Sequence, residues 1–332
     1  MGNEKKKEFD KVLEYVSPEV SSILRKLPDD YKYRIEEIRL RNGKPLMVCY
    51  EDKDYLITEK GTISKDDKES FYVTKEHIYK TFQLISSYSI YAFEEEMKSG
   101  FITLKGGHRI GISGKVIYGQ GGIETIKNIS SLNIRIAKEK IGVSNKVMKH
   151  IIKYPNSIYH ILIVSPPKCG KTTLLRDIIR NISDGMPELG FKGLKVGVVD
   201  ERSELAGMYN GCPQNNIGIR TDVLDGCYKK DGIQILIRAM SPDVIATDEL
   251  GAATDISVIN EALKVGVKLI STVHGDSWDD LLTRNNLRQL IEERIFERII
   301  FLDNSMGIGT IKDIVDGHTF KTVLEKGGYK CL

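Results

Sequence analysis

No apolar run in this sequence approaches the roughly 20 residues needed to cross a bilayer. The longest candidate, ILIV at 161–164, has the length of a strand. The N-terminus, MGNEKKKEFDK, is charged and lacks the apolar segment of a secretory signal. Gly2 does not make it a lipidation site, because Lys6 stands where that motif wants Ser or Thr. An intracellular chain is expected. The five cysteines, Cys49, Cys169, Cys212, Cys227 and Cys331, are odd in number and never form a C-x-x-C pair. That spacing argues against a disulfide framework or a zinc site and for free thiols. A large excess of either charge is also lacking. A formal net charge of +3 is too mild to demand a polyanionic partner, though it leaves room for a local basic surface.

What is present is enough chain for two cores. The 332 residues are 41% hydrophobic and 29% charged, as in soluble globular proteins. No internal repeat or low-complexity tract is visible. The halves follow different patterns, which predicts domains at 1–145 and 146–332. In the first, residues 8–27 carry Phe9, Val12, Leu13 and Val16 at helical spacing. IEEIRLRNGKPLMVCY (35–50) reads as two strands around Asn42-Gly43. The stretch 73–97 opens with a suitable cap and places Ile78, Phe82 and Ile85 on one face, predicting a long amphipathic helix. Glycine-punctuated strands and hairpins follow from 101 to 124, and LNIRIAKEK (132–140) reads as the last strand before a connector. This is a smaller α+β domain.

The second half alternates short apolar strands with helical patterns, the signature of a mostly parallel sheet with helices on both faces. The strands are HILIV (160–164), KVGVVD (195–200), DVIATDE (243–249), VKLISTVH (267–274) and RIIFLD (298–303). The first four end in polar residues. In an open α/β sheet such ends converge on a ligand.

The first strand runs into SPPKCGKTT, and a helical pattern follows. This nearly spells the phosphate loop G-x-x-x-x-G-K-[ST], with Ser165 in place of the first glycine. The candidate nucleotide loop is therefore Ser165, Pro166, Pro167, Lys168, Cys169, Gly170, Lys171, Thr172 and Thr173. Backbone N–H groups at a helix N-terminus can surround a polyphosphate. Lys171 would reach the β- and γ-phosphates, Thr172 would ligate magnesium, and Thr173 would touch the α-phosphate. A chance G-K-T after a strand is the plainer alternative.

The strand DVIATDE ends in two acids. Asp248 fits a residue that holds magnesium through water, and Glu249 a base for the water that attacks the γ-phosphate. A solvated turn is the plainer account, but adjacent carboxylates repel unless a cation is near. The intervening strand with this Asp-Glu pair points to a RecA-like P-loop NTPase. No N-K-x-D motif for guanine occurs, which favours ATP. Asp200, Glu201 and Glu204 would share the rim, as acids behind the metal or as a charged helix start. Thr272 and His274, ending a strand placed between the other two, would face the γ-phosphate. Lys171, Glu201, Glu249 and His274 are thus the candidate catalytic residues.

VVDERSE, RAMSPDVIATDELG and STVHGD together resemble the acidic and histidine boxes of secretion ATPases that serve type II and type IV systems and pili. EIRLRNGKPL, GHRIGISGKV, IRTDVLDGCYK and SPDVIATDELG, in that order over residues 30–316, narrow the resemblance to the stage III sporulation protein AA family of endospore-forming bacteria. The main departure is Ser165, where the family commonly has Gly. The resemblance implies an ATPase using ATP and Mg2+, and a homo-oligomer, a hexameric ring. It implies a mother-cell cytoplasmic protein, peripheral to the membrane through membrane proteins of the sporulation channel, powering assembly or transport. Such rings complete their sites with arginines across subunits, and Arg109 and Arg135 are candidates, with Arg220 and Arg238 inside the motor domain. Two other readings compete. One is a RecA-like remodeler of nucleic acid, against which the small net charge speaks. The other is a nucleotide-binding scaffold with negligible hydrolysis, which Ser165 favours and the Asp248-Glu249 pair opposes.

Overall fold

A computed structural model of the chain describes residues 2–51, 53–87, 93–250, 253–324 and 329–330. It divides into two compact units, Met1–Lys138 with Tyr209–Gln214, and Glu139–Met208 with Asn215–Leu332.

In the first unit an antiparallel seven-stranded sheet runs in the order 63–64, 53–57, 47–50, 37–41, 122–135, 109–119 and 101–103. Its strands alternate, so Ile38, Leu40, Ile110, Leu132 and Ile134 all enter one core. That core is closed by Phe9, Val12 and Leu13 of the first helix and by Ile78, Phe82 and Ile85 of a later one. The periodicity over 8–27 is split between helices Gly2–Leu13 and Pro18–Arg25. Pro18 has no N–H to continue the first helix and starts the second instead. The expected helix over 73–97 is shorter. It runs from Lys75 to Ile85, capped by Thr74 Oγ1 accepting from His77 N–H while His77 Nδ1 accepts from Thr74 N–H. Ser87 turns left-handed at φ 47° just beyond its end. Residues 88–92 lie outside the described ones, and a separate helix spans Glu94–Ser99. The pieces read as strands between 109 and 135 form one long hairpin, Arg109–Gly119 with Gly122–Arg135. Gly114 sits at its bulge, where a Cβ would lie 2.6 Å from the Lys127 carbonyl oxygen.

The second unit is built on an eight-stranded sheet. Its order is 221–225, 196–200, 244–249, 268–274, 161–165, 298–303, 310–316 and 329–330. The first six are parallel and the last two join antiparallel. The strand His274 ends therefore does lie between the strands of Ser165 and Glu249. Continuous burial along Ile161–Ser165 and Val196–Asp200 follows from helices on both faces. Ile161 and Ile163 join one core with the helix Lys171–Asp184, while Leu162 and Val164 join the opposite core with Ile233, Leu236 and Ile259. Thr221–Asp225 is an edge strand that the apolar pattern does not reveal, because none of its residues is buried.

The connector is fixed inside this unit. The buried Asp177 carboxylate accepts from Gly142 N–H at 3.0 Å, from Ser144 N–H at 2.7 Å and from Ser144 Oγ at 2.8 Å. Residues 142–144 are thereby bound to the helix that begins at the phosphate loop. Four free thiols, Cys49, Cys169, Cys212 and Cys227, are described, and Cys331 lies outside the described residues.

Three central strands are clamped at their starts by one carboxylate. Glu297 accepts from His160 N–H at 3.0 Å and from Lys153 and Lys268 at 3.1 Å each. Burial alone would raise its pKa, but the His160 N–H and the two lysines outweigh it and hold the value at about 2. A lowered carboxyl pKa adds stability above the unfolded value and loses it as pH falls. Glu297→Gln should therefore lower unfolding free energy by about 2 kcal/mol near neutral pH, read by urea denaturation. The gap to wild type should narrow as pH drops below about 4.5, and a gap constant with pH would remove the charge from the explanation.

Candidate active site

The phosphate loop leaves its strand at Ser165, which is buried in the last strand position. Its Oγ donates to the Pro166 carbonyl at 2.7 Å, and Gly275 N–H donates to the Ser165 carbonyl at 3.1 Å. The left-handed backbone falls later, at Lys168 (φ 61°) and Gly170 (φ 90°). Gly170 caps the helix Lys171–Asp184, so the free N–H groups of its first turn open towards a cavity of about 490 Å³. Lys168, Gly170, Lys171, Thr172 and Thr173 all line it.

Facing them are Asp248, Glu249, Thr272 and His274 from the two neighbouring strands. The Lys171 ammonium donates to His274 Nε2 at 2.8 Å and lies 3.7 Å from Glu249 Oε2. His274 Nε2 is 3.4 Å from the same oxygen, and Arg202 approaches it at 3.7 Å. Desolvation by burial lowers the Lys171 pKa, with Glu249 opposing the shift. Glu249 reaches this position because the pairing of its strand shifts between Ala246 and Glu249. Such a bulge re-aims side chains beside a site. Ser271 holds the bulged strand, its Oγ donating to the Asp248 carbonyl at 2.7 Å.

Asp248 is buried, and burial raises its pKa against the pull of Lys229. Lys229 Nζ lies 3.3 Å from Asp248 Oδ1. Among the described residues Asp248 Oδ2 has no hydrogen-bond donor. A buried acceptor without a donor, in the same cavity wall as Thr172, fits a hydrated divalent cation that arrives with a nucleotide. No cluster of three metal-binding side chains occurs among the described residues, so phosphate oxygens would have to complete the set.

Two of the expected rim acids stand off the cavity wall. Asp200 is fully buried and accepts from the N–H groups of Glu204, Leu205 and Ala206. It folds the following loop and is withdrawn from the rim. Glu201 pairs with Lys229 and is not among the cavity-lining residues. It stands behind Asp248 through that lysine, away from the position of a residue that touches the reacting atoms. Glu204 does line the cavity. Its loop is held by Arg176, which donates to the Leu205 carbonyl at 2.8 Å and the Glu204 carbonyl at 2.6 Å. Arg284, also unanticipated, donates to the His274 carbonyl at 2.8 Å. These supports join residues far apart in sequence, and of Lys229, Arg176 and Arg284 only Lys229, the last residue of IRTDVLDGCYK, belongs to a motif named above.

The arginines divide. Arg220 donates to the carbonyls of Ser183 and Asp184 at the end of the loop helix, a structural task. Arg238 is exposed on the helix Lys229–Ala239. Arg109 and Arg135 belong to the first unit, opposite each other across two strands. Arg109 stacks 3.5 Å from the Phe101 ring centre, and Arg135 lies 3.2 Å from Glu37.

A family described as sporulation stage III, protein AA matches residues 3–321. The chain belongs to that family. It is 38% identical over 308 residues to stage III sporulation protein AA of Bacillus subtilis, covering 93% of this chain and 95% of that one. Among solved structures, the Legionella pneumophila ATPase DotB superposes with a TM-score of 0.55 at 17% identity, covering 83% of this chain and 74% of that one. The pilus retraction motor PilT gives a TM-score of 0.50 at 16% identity, covering 80% and 74%. Family membership is thus joined to the RecA-like fold of secretion ATPases. Among the described residues no helix is long and apolar enough to cross a membrane.

Lys229 offers a direct check on this charge balance. Without it, Asp248 and Glu201 lose the ammonium they share, so the Asp248 pKa should rise further. Lys229→Met should cost about 3 kcal/mol near pH 8 in urea unfolding. A raised folded-state pKa penalises folding above the unfolded value, so the deficit should shrink as pH falls towards about 4. A deficit flat across that range would assign the lysine a packing role only.

Proposed function

We propose that this protein is a Mg2+-dependent ATPase working as a ring, a hexamer, that powers assembly of or transport through the membrane channel between mother cell and forespore. The observation carrying this is the convergence of Lys171, Glu249 and His274 beside the helix N-terminus of the phosphate loop. The pilus motor with the same fold was solved with bound ADP, which supports a nucleotide here.

The residues divide the work as follows. Loop N–H groups and Lys171 bind the phosphates, and Lys171 exchanges His274 and Glu249 for phosphate oxygen as it does so. Glu249, released from the lysine, accepts the proton of a water attacking the γ-phosphorus as the bond to the bridging oxygen breaks. His274 donates to the γ-phosphate and registers its presence. Thr172 and Asp248 would hold magnesium, which neutralises charge on the phosphates when bound. Arg109 or Arg135 of a neighbouring copy would stabilise the charge that develops. The protein would reside in the mother-cell cytoplasm, held at the membrane by channel proteins.

The test is MgATP hydrolysis per mole of protein against protein concentration. Specific activity should climb with concentration as copies complete one another's sites, and Lys171→Ala should abolish it. Glu249→Gln should keep nucleotide binding while losing roughly a hundredfold or more in turnover. Activity that persists in Lys171→Ala would refute the site, and activity flat with concentration would refute the ring.

A further inference from the structure

The phosphate end of the cavity is accounted for, but its opposite end is not. Glu249 and His274 lie on one side of the strand Ile161–Ser165, while the strands Arg298–Asp303 and Thr310–Asp316 lie on the other. A nucleotide whose terminal phosphate faces Glu249 and His274 must run its sugar and base across the loop to that second side. There the turn 304–309, which joins those two strands, meets the cavity, and Ile308 is part of the lining.

The turn is constructed to hold still. Ser305 donates through its N–H and Oγ to Asp303 Oδ1 at 3.1 and 2.8 Å. Gly307 N–H donates to the Asn304 carbonyl at 2.9 Å, and Thr310 Oγ1 donates to the Gly307 carbonyl at 2.7 Å. Gly309 N–H donates to the Cys169 carbonyl at 3.1 Å, so the turn is bonded to the phosphate loop itself. Gly307 and Gly309 take the left-handed backbone this needs, at φ 105° and 77°. Yet Ile308 is 49% exposed and Met306 51%. An apolar side chain on a rigid turn, half in water and facing a polar cavity, gains by covering an apolar ligand surface.

We infer that Ile308 is the platform on which the base of a bound nucleoside triphosphate lies, set in register with the phosphate loop by the Gly309–Cys169 hydrogen bond. This deepens the nucleotide reading above and rests on it. The contact is apolar, so it strengthens binding of the base and leaves the phosphates untouched.

The experiment is calorimetric titration of the full chain with MgATP and, separately, with magnesium tripolyphosphate, which lacks sugar and base. Ile308→Gly should weaken MgATP about tenfold while tripolyphosphate stays within about twofold. Ile308→Tyr should restore or tighten MgATP through stacking. Met306→Ala, on the same turn but off the cavity wall, should change neither. MgATP binding unaltered in Ile308→Gly, or an equal loss for both ligands, overturns the platform and leaves the phosphate site standing. A wild-type chain that binds neither ligand overturns the nucleotide reading itself, and the platform with it.

Discussion

The Lys171 ammonium, held by His274 and Glu249, is the contact on which the site depends. A cation at the mouth of a phosphate loop is half-buried and needs a counter-charge. The protein supplies one from the residues that the proposed chemistry later uses. The lysine is therefore neutralised without phosphate and must exchange partners to receive it. Glu249 is restrained by the same contact. On the proposed mechanism it would become available only when the lysine leaves, so that ligand arrival and release of the base would be one event. Each partner depends on the parallel register that sets Ser165 opposite His274 and Thr272 opposite Glu249.

Behind this contact the charges are arranged in depth. Lys229 faces both Glu201 and Asp248, while Asp200 is satisfied by three backbone N–H groups. Four carboxylates close in sequence or space thus have four environments. One folds a loop, one pairs closely with a lysine, one shares that lysine and keeps an oxygen without a donor, and one meets Lys171. Like charges this close could not all face the cavity unpaired. Such separation lets a single acid do one job.

The parts legible in the sequence were those encoded locally. A strand ending in polar residues, a G-K-T before a helix and a His after an apolar run each state their own position, and they mark the sheet, the loop, the Asp248-Glu249 pair and His274 as neighbours of one cavity. Roles set by distant partners were not legible. Nothing in VVDERSE says that Asp200 turns inward and Glu201 sideways, since both are acids after a strand. Their fates are decided by loop backbone and by Lys229, 28 residues away from Glu201. Ser271, Arg176 and Arg284 act through carbonyl oxygens, which carry no residue signature. The helix over 73–97 was overextended because periodicity shows which face is apolar and not where the backbone turns. Thr221–Asp225 escaped because an edge strand need not be apolar, and the membership of Tyr209–Gln214 in the first unit has no local signal at all.

Ser165 is where the sequence departs most from the expected loop, and the geometry explains why the departure is mild. The residue is still part of the strand, and its side chain is satisfied by the next carbonyl. The left-handed backbone of this loop falls at Gly170 and at Lys168, which carries φ 61° at a cost of about 1 kcal/mol. Alternation of right- and left-handed residues is what makes successive N–H groups point into one hollow and attract an anion. A strained residue at such a place is held there by its surroundings, here by the Gly309 N–H on the neighbouring Cys169 carbonyl. The left-handed turn at Lys168, and not freedom at residue 165, shapes the loop to which the proposed function assigns the phosphates.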